Sequence, residues 1–172
     1  MTTLILGAPG SGKTYFVEKI KPMYSEIFDA DYDIPGLSGW TDADGNGAVF
    51  PAEPTIAWLD THFFRWNSDV LKKFLESHPN SIVCGIAANA FELVHLFDHA
   101  YYLLIDPETL KIRMLSGERK NKRGKSFAEI EQISRAITEE HLPQARAHDV
   151  SIIDGLLSPT TIFNSILPIH KG

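Results

Sequence analysis

Two rhythms of apolar residues alternate along the chain. Short continuous runs bounded by turn residues read as buried strands. They are Thr3-Leu4-Ile5-Leu6 in a strand over 2–7, Glu26-Ile27-Phe28-Asp29-Ala30-Asp31-Tyr32-Asp33 running into carboxylates, Ser81-Ile82-Val83-Cys84-Gly85-Ile86-Ala87, Tyr101 to Ile105 and Val150-Ser151-Ile152-Ile153. Between them apolar residues recur at helical spacing. Phe16, Val17 and Ile20 mark a helix over 13–21 that Pro22 ends. Val70, Leu71, Phe74 and Leu75 mark one over 69–77, capped by Ser68. Phe91 to Phe97 reads as a short amphipathic helix, and Asp106-Pro107 opens another with an N-cap and a first-turn proline. Ser126 and Glu129 form a capping box for a helix over 127–141, and Ser158-Pro159 starts a last one through about Leu167. Strand and helix in alternation predict an α/β fold: a five-stranded parallel sheet with helices on both faces.

One stretch breaks the alternation. Residues 34–54 carry Pro35, Gly36, Gly39, Gly45, Gly47, Pro51 and Pro54, and read as an irregular surface excursion. Residues 55–66 are apolar and aromatic, and their pattern leaves helix and loop both open. The excursion as a whole spans about 32–67. Trp40, Trp58 and Trp66 in it are candidates to line an acceptor pocket or, more plainly, to pack the excursion on the core. Arg65 is a candidate to pair an anionic group. Asp42-Ala43-Asp44-Gly45-Asn46-Gly47, followed by Glu53, matches a calcium-loop pattern. The glycines and proline before it argue against the incoming helix such a loop needs, and Asp-Gly and Asn-Gly favour a plain turn.

Composition narrows the class without choosing within it. A chain of 172 residues, 44% hydrophobic and 22% charged, fits one soluble domain with a sizeable core. A formal charge of −6 argues against a general nucleic-acid binder. The single cysteine, Cys84, rules out an internal disulfide and suits a reducing cytoplasm. No apolar run has the length of a membrane span, and no signal peptide is visible, so neither membrane partner nor export is expected.

The chemistry starts at Gly7-Ala8-Pro9-Gly10-Ser11-Gly12-Lys13-Thr14, a complete Gly-x4-Gly-Lys-Thr phosphate-binding loop. It lies between the first strand and the first helix, where unpaired N–H groups and the helix dipole attract phosphate. Lys13 is expected on the β- and γ-phosphates of ATP, and the Thr14 hydroxyl on Mg2+. Asp29 and Asp31 stand two apart at the end of the second strand and can face the same side as the loop. They are candidates to hold metal-bound water and to accept the proton of an acceptor hydroxyl. At the end of the third strand Gly85 stands where many phosphate-loop proteins place an aspartate, so the second metal carboxylate must come from elsewhere, and Asp29 or Asp31 is the natural source. Asn89, just beyond, is a candidate to bond an acceptor or orient water, with turn chemistry as the alternative.

Later signals are fewer. His95 and His99 stand four apart, a spacing that suits a metal on a helix, but no third ligand is evident. Glu118-Arg119-Lys120-Asn121-Lys122-Arg123-Gly124-Lys125 is a basic run in an acidic chain. As a lid over about 117–126 it could clamp a transferring phosphoryl group, with Arg119 and Arg123 the better suited because a guanidinium grips phosphate bidentately. The loop Gly155 to Thr160 lies where an adenine could rest.

The phosphate loop, the strand-helix order and Phe28-Asp29-Ala30-Asp31 together resemble the small phosphate-loop kinases: adenylate, shikimate and gluconate kinases. The resemblance spans nearly all of the chain. It implies the three-layer P-loop NTPase fold with strand order 2-3-1-4-5, and ATP-dependent phosphoryl transfer to a small-molecule acceptor. It implies that Asp29 serves Mg2+ through water, that Asp31 contacts the acceptor, and that Arg119 and Arg123 are lid arginines, Arg119 also on the nucleotide. Gly85-Ile86-Ala87 replaces the glycine triplet of shikimate kinases. A nucleotide-driven switch or ATPase without an acceptor, or a binding module without catalysis, remains the alternative.

Overall fold

The structure, a computed structural model, describes residues 1–52, 55–116 and 127–170. In chain order the first elements are β1 (Thr3–Leu6), α1 (Lys13–Ile20), β2 (Ile27–Asp29), β3 (Ser38–Asp42), β4 (Gly47–Ala48), α2 (Ile56–Thr61), β5 (His62–Trp66) and α3 (Ser68–Ser77). Then come β6 (Ile82–Gly85), β7 (His99–Leu104), α4 (Pro107–Leu115), α5 (Phe127–Ala136), α6 (Leu142–Ala147), β8 (Ser151–Asp154) and α7 (Pro159–His170). Five strands form one parallel sheet in the order β2-β6-β1-β7-β8. Counted among themselves these five strands run 2-3-1-4-5, the order the resemblance implies.

Side-chain alternation along β1 divides the core. Leu4 and Leu6 face a cluster with Leu71 and Leu75 of α3, Ala145 of α6, Val83 and Tyr102. Ile5 faces the opposite cluster, with Phe16, Val17 and Ile20 of α1 and Ile162, Phe163 and Ile166 of α7. Helices therefore cover both faces of the sheet. Cys84 lies within the second cluster, and burial pushes its thiol far above the usual range, so it is an inert core side chain.

The excursion is more ordered than its composition suggests. β3, β4 and β5 form a separate antiparallel sheet, with β3 in the middle. The Asp42–Gly47 segment is the hairpin turn between β3 and β4. Asp42 N–H bonds the Asn46 carbonyl at 2.9 Å, and the Asp42 carboxylate accepts the Asn46 N–H at 2.9 Å. A strand precedes this turn, not a helix; Glu53 lies outside the described residues. Residues 55–66 split into α2, capped by Thr55, and β5.

Several boundaries differ from the pattern-based expectation, and three of the differences change the local picture. α3 is capped by Asn67, whose Oδ1 accepts from Asp69 N at 3.0 Å and Val70 N at 3.2 Å, and Ser68 is its first residue. The stretch 91–97 forms successive three-residue turns and one short 3₁₀ turn (Val94–Leu96), its N–H groups bonding three residues back. His99 consequently opens β7, so His95 and His99 do not share a helix face. The helix expected over 127–141 runs on: α5 passes through a π-helical turn (Ile137–His141) directly into α6. Ser126 lies outside the described residues.

Candidate active site

The phosphate loop takes its shape from its own backbone and from Lys13. Gly12 caps α1 at φ 100°, a left-handed conformation that favours glycine. Lys13 Nζ lies along the inside of the loop, bonding the carbonyls of Gly7 at 2.5 Å and Ala8 at 3.1 Å and Ser11 Oγ at 3.4 Å. Its ammonium is thereby held in the curl that Gly7, Ala8, Pro9, Gly10, Ser11 and Gly12 form. From behind, Arg113 of α4 donates to the Ser11 carbonyl at 3.1 Å. Nothing in the spacing of α4 marks Arg113 as a support of the loop, so sequence reasoning misses it.

Parallel pairing brings the next strand end to this loop. Asp29 is level with Cys84 of β6, which is level with Ile5 of β1, so all three strands finish together. The Thr14 hydroxyl donates to Asp29 Oδ2 at 2.8 Å. Asp29 is only 6% exposed, and its other oxygen accepts the Asp31 N–H at 3.0 Å. Asp33, ion-paired to Lys21 at 2.8 Å, takes the Asp29 N–H at 2.9 Å. Thr14 and Asp29 thus offer adjacent hard oxygen donors, a donor set that fits Mg2+.

Asp31 opens to solvent on one side, and Ser38 Oγ of β3 donates to its Oδ1 at 2.9 Å. Desolvation pushes its carboxyl above the usual range, the Ser38 bond opposes this, Asp29 adds to it and Lys13 opposes it. A carboxylate raised in this way, beside the loop lysine, is suited to accept a proton.

The remaining expected site residues divide. Asn89 is committed to backbone: its Oδ1 accepts Trp66 N–H and its Nδ2 donates to the Trp66 carbonyl, both at 2.9 Å. It extends the edge of β5 and ties the small sheet to the end of β6, which leaves little of its amide for an acceptor. The register pairs Ser38 with Trp66 and Trp40 with Phe64 on one face of that sheet, and Gly39 with Arg65 on the other. Arg65 therefore lies on the face away from Asp31's partner Ser38, its guanidinium 5.2 Å from the Phe63 ring. Arg119 and Arg123, with the rest of the basic run, lie outside the described residues.

Two of the three tryptophans pack within the excursion. Trp40 and Trp58 cluster with Phe50 and Phe64 at centroid distances of 4.9 to 5.6 Å. Trp66 is different. It is 2% exposed, and a Cβ on Gly85 would come within 2.5 Å of its ring. The indole occupies the space a side chain at position 85 would need, which explains the glycine at the end of β6.

Beyond β6 a cavity of about 550 Å³ opens at the same end of the sheet. Ala88, Phe91 and Glu92 form one wall, and Glu139, Glu140 and His141 belong to the other. His141 Nδ1 lies 2.8 Å from the hydroxyl of fully buried Tyr102, next to Leu6 in the sheet register. Neither residue carries a sequence signal; the helix containing His141 reads as ordinary amphipathic pattern.

The fold was compared with solved structures. Shikimate kinase from Acinetobacter baumannii in complex with shikimate superposes with a TM-score of 0.61 at 18% identity, covering 98% of this chain and 93% of that one. Shikimate kinase from Aquifex aeolicus vf5 gives 0.58 at 15%, covering 100% and 97%. Deoxyadenosine kinase from M. mycoides with bound dATP gives 0.55 at 13%, covering 100% of both chains. The chain has the P-loop kinase fold. No protein-family model matches the sequence, and no curated protein matches it. At these identities the likeness concerns architecture alone. Within this P-loop kinase fold, the loop, the Thr14–Asp29 contact and the cavity all lie at the carboxyl end of the parallel strands, where open α/β sheets bind ligands. Among the described residues no helix is long and apolar enough to cross a membrane.

Proposed function

We propose that the protein is an ATP-dependent kinase of a small hydroxylated molecule. The observation that carries this reading is the 2.8 Å bond from Thr14 of the phosphate loop to Asp29, with Asp31 adjoining it. It joins a triphosphate cradle to a candidate base at the end of the neighbouring strand. The dATP of the M. mycoides enzyme and the shikimate of the A. baumannii enzyme exemplify the two ligand classes proposed.

In this mechanism the loop N–H groups and Lys13 grip the β- and γ-phosphates. Thr14, with Asp29 through water, would hold Mg2+, which neutralises charge on the phosphate oxygens when bound. The adenine rests against the Gly155–Thr160 loop. Asp31 orients the acceptor hydroxyl and takes its proton. The acceptor oxygen forms a bond to the γ-phosphorus as the bond to the bridging oxygen breaks, and that electron pair leaves on ADP. Arg119 and Arg123 close over the transferring group and keep out water.

Calorimetry with ATP and magnesium, joined to an ADP-release assay with pooled acceptors, tests the proposal. Saturable ATP binding and acceptor-dependent release are expected. Lys13→Ala should lower turnover by on the order of 10²–10³. Release that no acceptor stimulates would favour the ATPase or switch; absence of nucleotide binding would remove both readings.

A further inference from the structure

The cavity beyond β6 contains a buried polar pair that the mechanism above does not use. Tyr102 is completely buried, and burial keeps its phenol protonated, the Ala8 backbone of the phosphate loop opposing this only in part. Its own proton then needs an acceptor, and His141 Nδ1, 2.8 Å away, is positioned to be it. If Nδ1 carried the proton instead, the buried phenol O–H would have no partner, which costs free energy. The network therefore assigns the neutral ring with its proton on Nε2.

With Nδ1 turned to Tyr102, the opposite ring edge carries Nε2. His141 belongs to the cavity wall, and among the described residues nothing hydrogen-bonds its Nε2. Position 141 is the last residue of the π-helical turn, one of the local widenings of a helix that often occur at functional sites. Burial, and secondarily the charge of Lys13, lower the imidazole pKa to about 4. The ring is thus a neutral donor at ordinary pH, close enough to the loop lysine to feel its field.

The cavity's charge adds a selection. Its described lining has three carboxylates, those of Glu92, Glu139 and Glu140, and no lysine or arginine. A carboxylate or phosphate entering it would meet like charge from these three side chains. Phe91 supplies an apolar surface, with a volume of about 550 Å³ suited to a small metabolite.

We propose that this cavity receives an uncharged or amine-bearing hydroxylated acceptor, and that His141, held by Tyr102, donates its Nε2–H to an acceptor oxygen. The inference rests on the kinase reading and adds the acceptor's class and a specificity residue.

The test has two arms. In the first, ADP release is followed with ATP, magnesium and four pools: uncharged nucleosides, amino sugars, shikimate with related hydroxy acids, and nucleoside monophosphates. Stimulation by one of the first two pools is expected. With the active pool, His141→Ala should raise the acceptor KM by roughly tenfold or more with ATP affinity retained. His141→Gln, which places an amide N–H near the Nε2 position, should recover most of that loss. Stimulation by the acidic pools alone, or an acceptor KM unmoved by His141→Ala, overturns this inference and leaves the kinase reading intact. No stimulation by any pool overturns both.

The second arm does not depend on turnover. Imidazole nitrogen NMR of the whole protein at about pH 7 should show the Nε2–H tautomer at His141. Tyr102→Phe should release that tautomer preference. A protonated ring, or the Nδ1–H tautomer, overturns the donor assignment.

Discussion

At Asp31 and Gly85 single side chains meet opposite demands. Asp31 needs to be ionised to accept a proton, while desolvation holds its carboxyl above the usual 3.8. Turnover with acceptor should therefore fall on acidification through a pKa above that of an ordinary aspartate. A profile of kcat/KM against pH reads the limb directly, and Asp31→Asn should abolish it together with most acceptor-dependent turnover. Gly85 needs the absence of a side chain. In Gly85→Ala the new Cβ would meet the Trp66 ring at 2.5 Å and Ala30 Cβ at 2.8 Å. A loss of about 1–3 kcal/mol in urea unfolding is expected. The same substitution in a Trp66→Leu background should cost less, because the two positions share one space.

The small antiparallel sheet is the element that composition concealed. Its strands are short, β4 has two residues, and β3 reads Ser-Gly-Trp-Thr-Asp, so no alternating stripe announces it. The hairpin turn within it was legible, because Asp-Gly and Asn-Gly have a local reason to turn. What docks the sheet on the core is Asn89, with two bonds to the Trp66 backbone, assisted by the 2.8 Å bond from Ala88 N–H to the Phe64 carbonyl. Asn89→Ala strips partners from a part-buried N–H and carbonyl, and should lower stability by about 1–3 kcal/mol. Hydrogen exchange should show faster opening over 62–66 than over β1 or β6. Uniform protection of these strands in the variant would show that the bonds do not dock the sheet.

Taken as one body, the molecule couples its charge state to its packing through His141. The ring titrates near 4 in the folded protein against 6.5 for a free side chain. The unfolded chain therefore binds the extra proton first. Stability should be retained above about 6.5 and decline as the pH falls toward 4, since protonation there favours the unfolded state. Thermal melts across this window should slope downward with acid, and His141→Gln should flatten the slope. The groups around the ring, Lys13 in the loop, Tyr102 in β7 and Glu139 and Glu140 on its own helix, make this the response of a whole site. ATP with magnesium should raise the melting temperature in a concentration-dependent way, and Lys13→Ala should blunt the rise.

How much of this was readable in advance follows the range of the forces involved. The phosphate loop, the parallel strands and most helices announce themselves because their causes are local: glycine conformations, caps and the period of the apolar face. Their neighbours along the chain are the neighbours that matter. The strand end at Asp29 was readable for the same reason, as an acidic pair closing an apolar run. Other assignments needed partners far away in sequence. Asn89 serves Trp66, Gly85 yields to Trp66, Arg113 props the loop, and Tyr102 aims His141. The face Arg65 takes was beyond the sequence for a related reason, since it depends on the register of β5 against β3. A chain written in one dimension specifies its turns and periods by itself. Which side chains face one another across the sheet is decided only when strands distant in sequence are brought level and compete for the same buried space.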